Sequence, residues 1–200
     1  SVFDVLSYPK LYHNLKAAIK EVCTETQNPG IFYDDCQIPG REMLQIIESR
    51  AFSRLPGNMS RVAEEAFETL LHTRDGQLCD IMVDKAALEA IYEAGRRSGE
   101  PIIEDYADTT VAIADMKIAV RSQKTGKSAD FMRSAMAECT GVNVEQLIRA
   151  ALAGADEIAQ YLEGTSYAGG AEALRESPSA FERWCDNRMI ETLKPQKYET

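Results

Sequence analysis

No run of apolar residues in this chain approaches the ~20 that a helix needs to cross a bilayer, so any membrane contact has to go through a partner. Histidine is scarce. His13 and His72 are the only two, and no His-x-x-x-His offers a metal two ligands on one helical face. The five cysteines (Cys23, Cys36, Cys79, Cys139 and Cys185) are scattered, odd in number and without a Cys-x-x-Cys. That excludes a disulfide framework and reads as reduced thiols in a cytosolic protein. A basic half is also missing. Residues 1–100 and 101–200 each hold 11 basic and 16 acidic residues, within a total of 22 against 32 and a net charge of −10. Nothing here tracks a phosphate backbone, so nucleic acid is not an expected partner. An acidic surface suits docking to proteins. No segment alternates apolar and polar residues over a strand length, so little or no sheet is expected.

Helix signals fill the chain. Ser7 before Pro9 reads as a cap with proline in the first turn, opening a helix to about Glu25. Residues 26–40, TQNPGIFYDDCQIPG, form a loop of breakers. Helices are expected at about 41–54, 59–73 and 77–95, the last with Leu78, Ile81, Met82, Leu88 and Tyr92 on one face. Ser98-Gly99-Glu100-Pro101 closes that helix and opens the longest, about 101–124. On it Ile102, Tyr106, Thr109, Ile113, Met116 and Val120 recur at spacings of four and three, a stripe suited to antiparallel packing. Shorter helices follow near 129–138, 143–153, 155–163 and 167–176. A last one, capped by Ser177-Pro178, runs to about Leu193. The chain opens Ser-Val without Met and closes Lys194-Pro195-Gln196-Lys197-Tyr198-Glu199-Thr200, which reads as a piece of something longer.

The halves repeat one another. Asn14-Leu15-Lys16-Ala17-Ala18-Ile19-Lys20 matches Asp115-Met116-Lys117-Ile118-Ala119-Val120-Arg121 at a shift of 101. Asp84-Lys85-Ala86-Ala87-Leu88-Glu89-Ala90-Ile91 matches Asp186-Asn187-Arg188-Met189-Ile190-Glu191-Thr192-Leu193 at 102, and Glu42-Met43-Leu44 matches Glu145-Gln146-Leu147 at 103. Matches in the same order at nearly one shift indicate a duplicated helical domain, units 1–100 and 101–200, rather than a short solenoid repeat.

No residues assemble a catalytic reading. Lys124-Thr125-Gly126-Lys127-Ser128 lacks the glycine that a phosphate loop needs at position 121, where Arg stands, and a long helix precedes it where a strand is required. A helix stop at Gly126 with Ser128 capping the next helix is the favoured reading. His13 is expected to pack or hydrogen-bond. Glu64, Glu65 and Glu68 lack the Glu-x-x-His partners of a di-iron bundle and form a solvated face. Lys85 either runs its stem along apolar surface or pairs with an acid from another helix. Gly169-Gly170 marks a bend or a close helix approach. No nucleophile has a base and an orienting partner. No catalytic, cofactor-binding or metal residue is therefore nominated, and no cofactor.

Tyr12-His13-Asn14-Leu15-Lys16-Ala17-Ala18-Ile19-Lys20 resembles a hallmark segment of the C subunit of V-type and archaeal-type rotary ATPases, a relative of the vacuolar ATPase d subunit. Asp84-Lys85-Ala86-Ala87-Leu88 is similar to a second family helix. Ile103-Glu104-Asp105-Tyr106, through Ala114-Asp115-Met116-Lys117 to Arg121, resembles the long central one. Phe181-Glu182-Arg183-Trp184-Cys185-Asp186-Asn187, through Leu193-Lys194 to Tyr198, resembles the segment before the closing helix. The motifs are short; their order over the whole chain carries the resemblance. Two departures stand out: Asp115 replaces Asn14 in the second unit, and the stretch near Gly164–Gly170 is glycine-rich.

The resemblance implies an all-α protein comprising the second and most of the third domain of a three-domain funnel. It implies a non-catalytic coupling role, linking the rotating shaft to the membrane rotor ring for proton or sodium transport. The implied partners are central-stalk subunits D and F and the proteolipid ring, with no nucleic acid and no small-molecule substrate. The implied location is cytoplasmic and peripheral to the membrane. The competing expectation is an all-helical interaction scaffold of unrelated descent; a third, weaker, is a nucleotide-binding enzyme using Lys127 and Ser128.

Overall fold

A computed structural model describes residues 2–25 and 31–194. Residues 26–30 of the expected loop and the tail beyond Lys194, including Tyr198, lie outside the described residues. Among those described there is no strand. The elements are α1 (Val2–Thr24), α2 (Gly40–Glu48), a 3-10 turn (Phe52–Arg54), α3 (Met59–Thr73), α4 (Gly76–Ser98), α5 (Pro101–Thr125), α6 (Ala129–Ala135), α7 (Val144–Ala153), α8 (Ala155–Glu163), α9 (Ala168–Glu176) and α10 (Pro178–Thr192). The fold is all-α. Contacts divide the chain inside α4, giving compact units Phe3–Ala90 and Ile91 onward.

In the first unit, α1 buries Leu11, Leu15, Ala18 and Ile19 against Met43, Ile46 and Ile47 of α2, Ala63, Ala66, Phe67 and Leu70 of α3, and Cys79 and Val83 of α4. Pro9 does not open α1 as expected but lies inside it. Proline removes one intrahelical bond there. The turn before it is held by packing, because Val5 is buried.

The expected second helix stops early. Arg50 takes a left-handed conformation, φ 54°. Ala51 N–H donates to Ile46 O at 2.9 Å and Arg50 N–H to Ile47 O at 3.1 Å, a Schellman ending. The Arg50 guanidinium lies over the Phe67 ring, 4.9 Å from its centroid, which holds an arginine where glycine is usual.

In the second unit α5 is central. Ala112, Ile113, Met116, Ala119 and Val120 pack against α7, α8 and α10 through Leu147, Ile148, Ile158, Leu162, Phe181 and Cys185. The expected α5 stripe needs one correction: Ile102 is exposed, and Ile103, Ala107 and Val111 are buried beside Thr109 and Ile113. The middle of α5 is buried on most sides, so a single-face count misplaced its first turn. On α4 the fully buried line is Cys79, Val83, Ile91 and Ala94, and the expected Leu78, Ile81, Met82, Leu88 and Tyr92 are only partly buried. Helix α6 ends at Ala135 rather than 138, because Ala137 N–H donates to the buried Asp115 Oδ1 at 3.0 Å instead of continuing the helix. The close approach expected at Gly169-Gly170 is present. A Cβ on Gly170 would sit 3.0 Å from Trp184 Cζ3, and one on Gly169 would sit 2.6 Å from Trp184 Nε1.

Candidate interaction surface and internal symmetry

The long helix of each unit encloses an amide or carboxylate side chain in its apolar face, and α5 also buries the hydroxyls of Thr109 and Ser122. Asn14 and Asp115 are both 0% exposed. A polar group with no access to water needs hydrogen-bond partners, and both find them in an irregular segment further along the chain, after α1 for Asn14 and between α6 and α7 for Asp115. Asn14 Nδ2 donates to Tyr33 O at 2.7 Å and to Ile38 O at 3.1 Å, and Asn14 Oδ1 accepts from Tyr33 N–H at 2.8 Å. Asp115 accepts from Ala137 N–H, and Asp108, earlier on the same helix, accepts from Thr140 N–H at 2.6 Å and Gly141 N–H at 3.1 Å. Backbone that would otherwise lack partners is thereby pinned in both units.

The first unit's segment is held from several sides. His13 Nε2 donates to Ile31 O at 2.7 Å, and its ring meets Tyr33 edge-on at 5.1 Å. Lys10 pairs with Asp35 and stands over the Tyr33 ring. The Asp35 carboxyl is held below its usual range by the Lys10 ammonium and a backbone donor. Gly40 lies against the Phe32 side chain so closely that a Cβ would meet Phe32 Cβ at 2.3 Å. What this segment turns outward is apolar and acidic: Ile31 is 44% exposed, Tyr33 is 42% exposed, and Asp34 and Asp35 are exposed. The second unit's pinned segment turns Met136, Ala137 and Val142 inward.

A second correspondence runs along the antiparallel helices. Lys16 pairs with Asp84 at 2.9 Å and Lys20 with Asp80 at 2.8 Å, joining α1 to α4. Lys117 reaches Glu182 at 3.3 Å and Asp186 at 4.0 Å, and Arg121 reaches Glu182 at 3.4 Å, joining α5 to α10. Cations match at the shift of 101 and acids at 102. These pairs are half-exposed and each worth roughly 0–1 kcal/mol, so they set which helix faces align more than they add stability. Burial corrects one match. Met43, Ile46 and Ile47 correspond to Leu147, Ala150 and Ala151, all buried, at a shift of 104 instead of 103.

The residues weighed for chemistry are accounted for structurally. Gly126, at φ 67°, ends α5, and Ser128 Oγ accepts from Phe131 N–H at 3.1 Å to cap α6. Lys127 Nζ lies over the Phe131 ring at 5.0 Å. Glu65 pairs with Arg61 at 3.9 Å and Glu68 with His72 at 3.0 Å on the open face of α3, and Lys85 is half-buried on α4. Burial pushes all five thiols up, Cys79 to about 11 and Cys139 and Cys185 to about 12, which is the opposite of an activated nucleophile. Among the described residues no group of three or more His, Cys, Asp or Glu comes together to hold a metal, and no helix is long and apolar enough to cross a membrane. A shallow pocket of about 340 Å³ between α1 and α3 is lined by Lys20, Glu21, Leu70 and Arg74. Lys20 is already engaged by Asp80.

The Tyr-His-Asn-Leu-Lys segment that carries the resemblance thus places Asn14 fully buried in the first unit, as Asp115 is in the second. The model of the ATP synthase (C/AC39) subunit family matches residues 1–200. The chain belongs to that family. Its members are structural subunits of V-type ATP synthases, so unrelated descent as a helical scaffold is excluded. No curated protein and no solved structure matches the chain. The sequence holds one signal for the pinned segment that periodicity passes over: Asn14, polar amid Leu11, Leu15 and Ala18 on a helix face otherwise built for burial.

Proposed function

We propose that this chain is the coupling part of a rotary V-type ATP synthase or ATPase, joining the rotating central shaft to the membrane rotor ring. Membership of the C/AC39 family over residues 1–200 is the observation that carries the reading. The physical character of the chain supports it. Torque transfer needs a body that deforms little, and close-packed helices supply one. The acidic balance, −10, suits docking to basic protein surfaces. In this reading the protein is non-catalytic. Its partners are central-stalk subunits D and F on one side and the proteolipid ring on the other, and it works in the cytoplasm, peripheral to the membrane.

We also propose that units 1–100 and 101–200 descend from one duplicated domain. The support is the paired burial of Asn14 and Asp115 and the matched Lys16–Asp84 and Lys117–Asp186 contacts.

The test is binding of the purified protein to a purified complex of subunits D and F at moderate salt. A saturable complex is expected. If none forms with D and F, and none with the isolated ring, the coupling role is wrong.

A further inference from the structure

We infer that the pinned segment Ile31–Ile38 is a docking knob for a protein segment that presents an apolar side chain beside a lysine or arginine. Three observations lead there. First, the segment has no regular structure, yet Asn14, His13 and Lys10 hold its backbone and side chains at five points. A surface held in its binding conformation loses little conformational entropy when a partner arrives.

Second, the side chains on display keep much of their surface free for a partner, although the Tyr33 ring also meets His13 and Lys10. The pins reach the backbone at Ile31, Tyr33 and Ile38, whereas the Ile31 side chain and much of the Tyr33 ring face water. The other unit holds its corresponding segment by the same device, with Asp115 and Asp108, but tucks Met136, Ala137 and Val142 inside. Pinning is thus common to both units and display belongs to one. Exposed apolar groups clustered on a rigid support mark contact surfaces, and tyrosine is enriched among binding hot spots.

Third, the charge is complementary to a cation. Asp34 is exposed and has no ion pair among the described residues, while its neighbour Asp35 is neutralised by Lys10. A partner lysine or arginine beside an apolar anchor would meet Asp34 while the anchor covers Ile31 and Tyr33.

The inference rests on the coupling reading for its choice of probes, the D and F complex and the isolated ring. Ile31→Ser/Asp34→Asn leaves the Tyr33–His13 contact and every pin in place, and Tyr33→Ala is made as a second variant. Leu152→Ser, at another exposed apolar position, is the control. The expected result is a Kd raised at least about tenfold for one of the two probes by each knob variant, with the control unchanged and the far-ultraviolet dichroism of all three intact. The Asp34→Asn single variant is expected to flatten the salt dependence of that Kd. If the wild-type protein binds a probe and the knob variants bind it equally well, the knob is wrong and the coupling reading stands. If the wild-type protein binds neither probe, both fall. Protection of Ile31 and Tyr33 from hydroxyl-radical labelling before any partner is added would also overturn the inference, since the protein's own chain would then cover the knob.

Discussion

Replacing Asn14 by Asp tests the central packing claim with almost no change of shape. Asn14 is completely buried and uses both ends of its amide. Its oxygen accepts from Tyr33 N–H, and its nitrogen donates to the carbonyls of Tyr33 and Ile38. Aspartate keeps the acceptor but turns an oxygen toward those two carbonyls. Two bonds of about 1 kcal/mol net each are lost, and the groups left facing one another cost roughly 1–3 kcal/mol more. A deficit of about 3–5 kcal/mol is expected at pH 7, a large share of the roughly 5–15 kcal/mol typical of a domain. The deficit carries a pH signature. Burial beside carbonyls raises the folded-state pKa of the new carboxyl above its unfolded value of about 3.9. The protonated acid can donate again, so the variant regains stability as pH falls toward about 4 and loses it as pH rises through the raised pKa. Urea unfolding followed by circular dichroism at 222 nm, at pH 5 and pH 7.5, measures both effects. A deficit under about 1 kcal/mol, or one that does not shrink at the lower pH, would refute the claim that Asn14 clamps the segment after α1.

Gly170→Ala gains about 1 kcal/mol of helix propensity but drives a methyl to 3.0 Å from Trp184, and overpacking of that kind costs about 1–3 kcal/mol. Net destabilisation with a red-shifted emission from the single tryptophan is expected; a more stable variant with unchanged emission would contradict the contact. Ser128→Ala removes the α6 cap and should cost about 1 kcal/mol in thermal or urea unfolding, while ATP with magnesium should show no saturable calorimetric binding to either form. The buried thiols and Tyr12, itself pushed up to about 12, stay protonated in the folded state when their unfolded counterparts ionise, from about 9 for cysteine and 10 for tyrosine. Their contribution is complete below pH 9 and is lost between pH 9 and about 12, so the urea midpoint should fall across that window, and less steeply in Cys185→Ala. At neutral pH, Cys23, Cys79 and Cys185 should react with a thiol reagent only at the rate of unfolding.

The amino-acid sequence alone determined the helical class and most helix ends, because caps and stops act over three or four residues. Glu100-Pro101, Gly126, Ser128 and Ser177-Pro178 all lie within one turn of the boundaries they mark. It also holds the register matches on which the proposed duplication rests, since a shift in register needs no coordinates. Where reading along the chain failed, the deciding partner was far away in sequence. Pro9 sits inside α1, in a helix whose preceding turn buries Val5. Helix α2 ends at an arginine held over Phe67, and α6 ends where Asp115, 22 residues back, takes Ala137 N–H. A periodicity count finds one apolar face, so it placed Thr109, Ile113, Met116 and Val120 but passed over Ile103, Ala107 and Val111 on a helix buried on most sides. Only the tertiary structure showed what Asn14 is for. Its side chain has no satisfactory local partner, and the carbonyls it holds become neighbours only once α1 and the segment 31–38 are folded together.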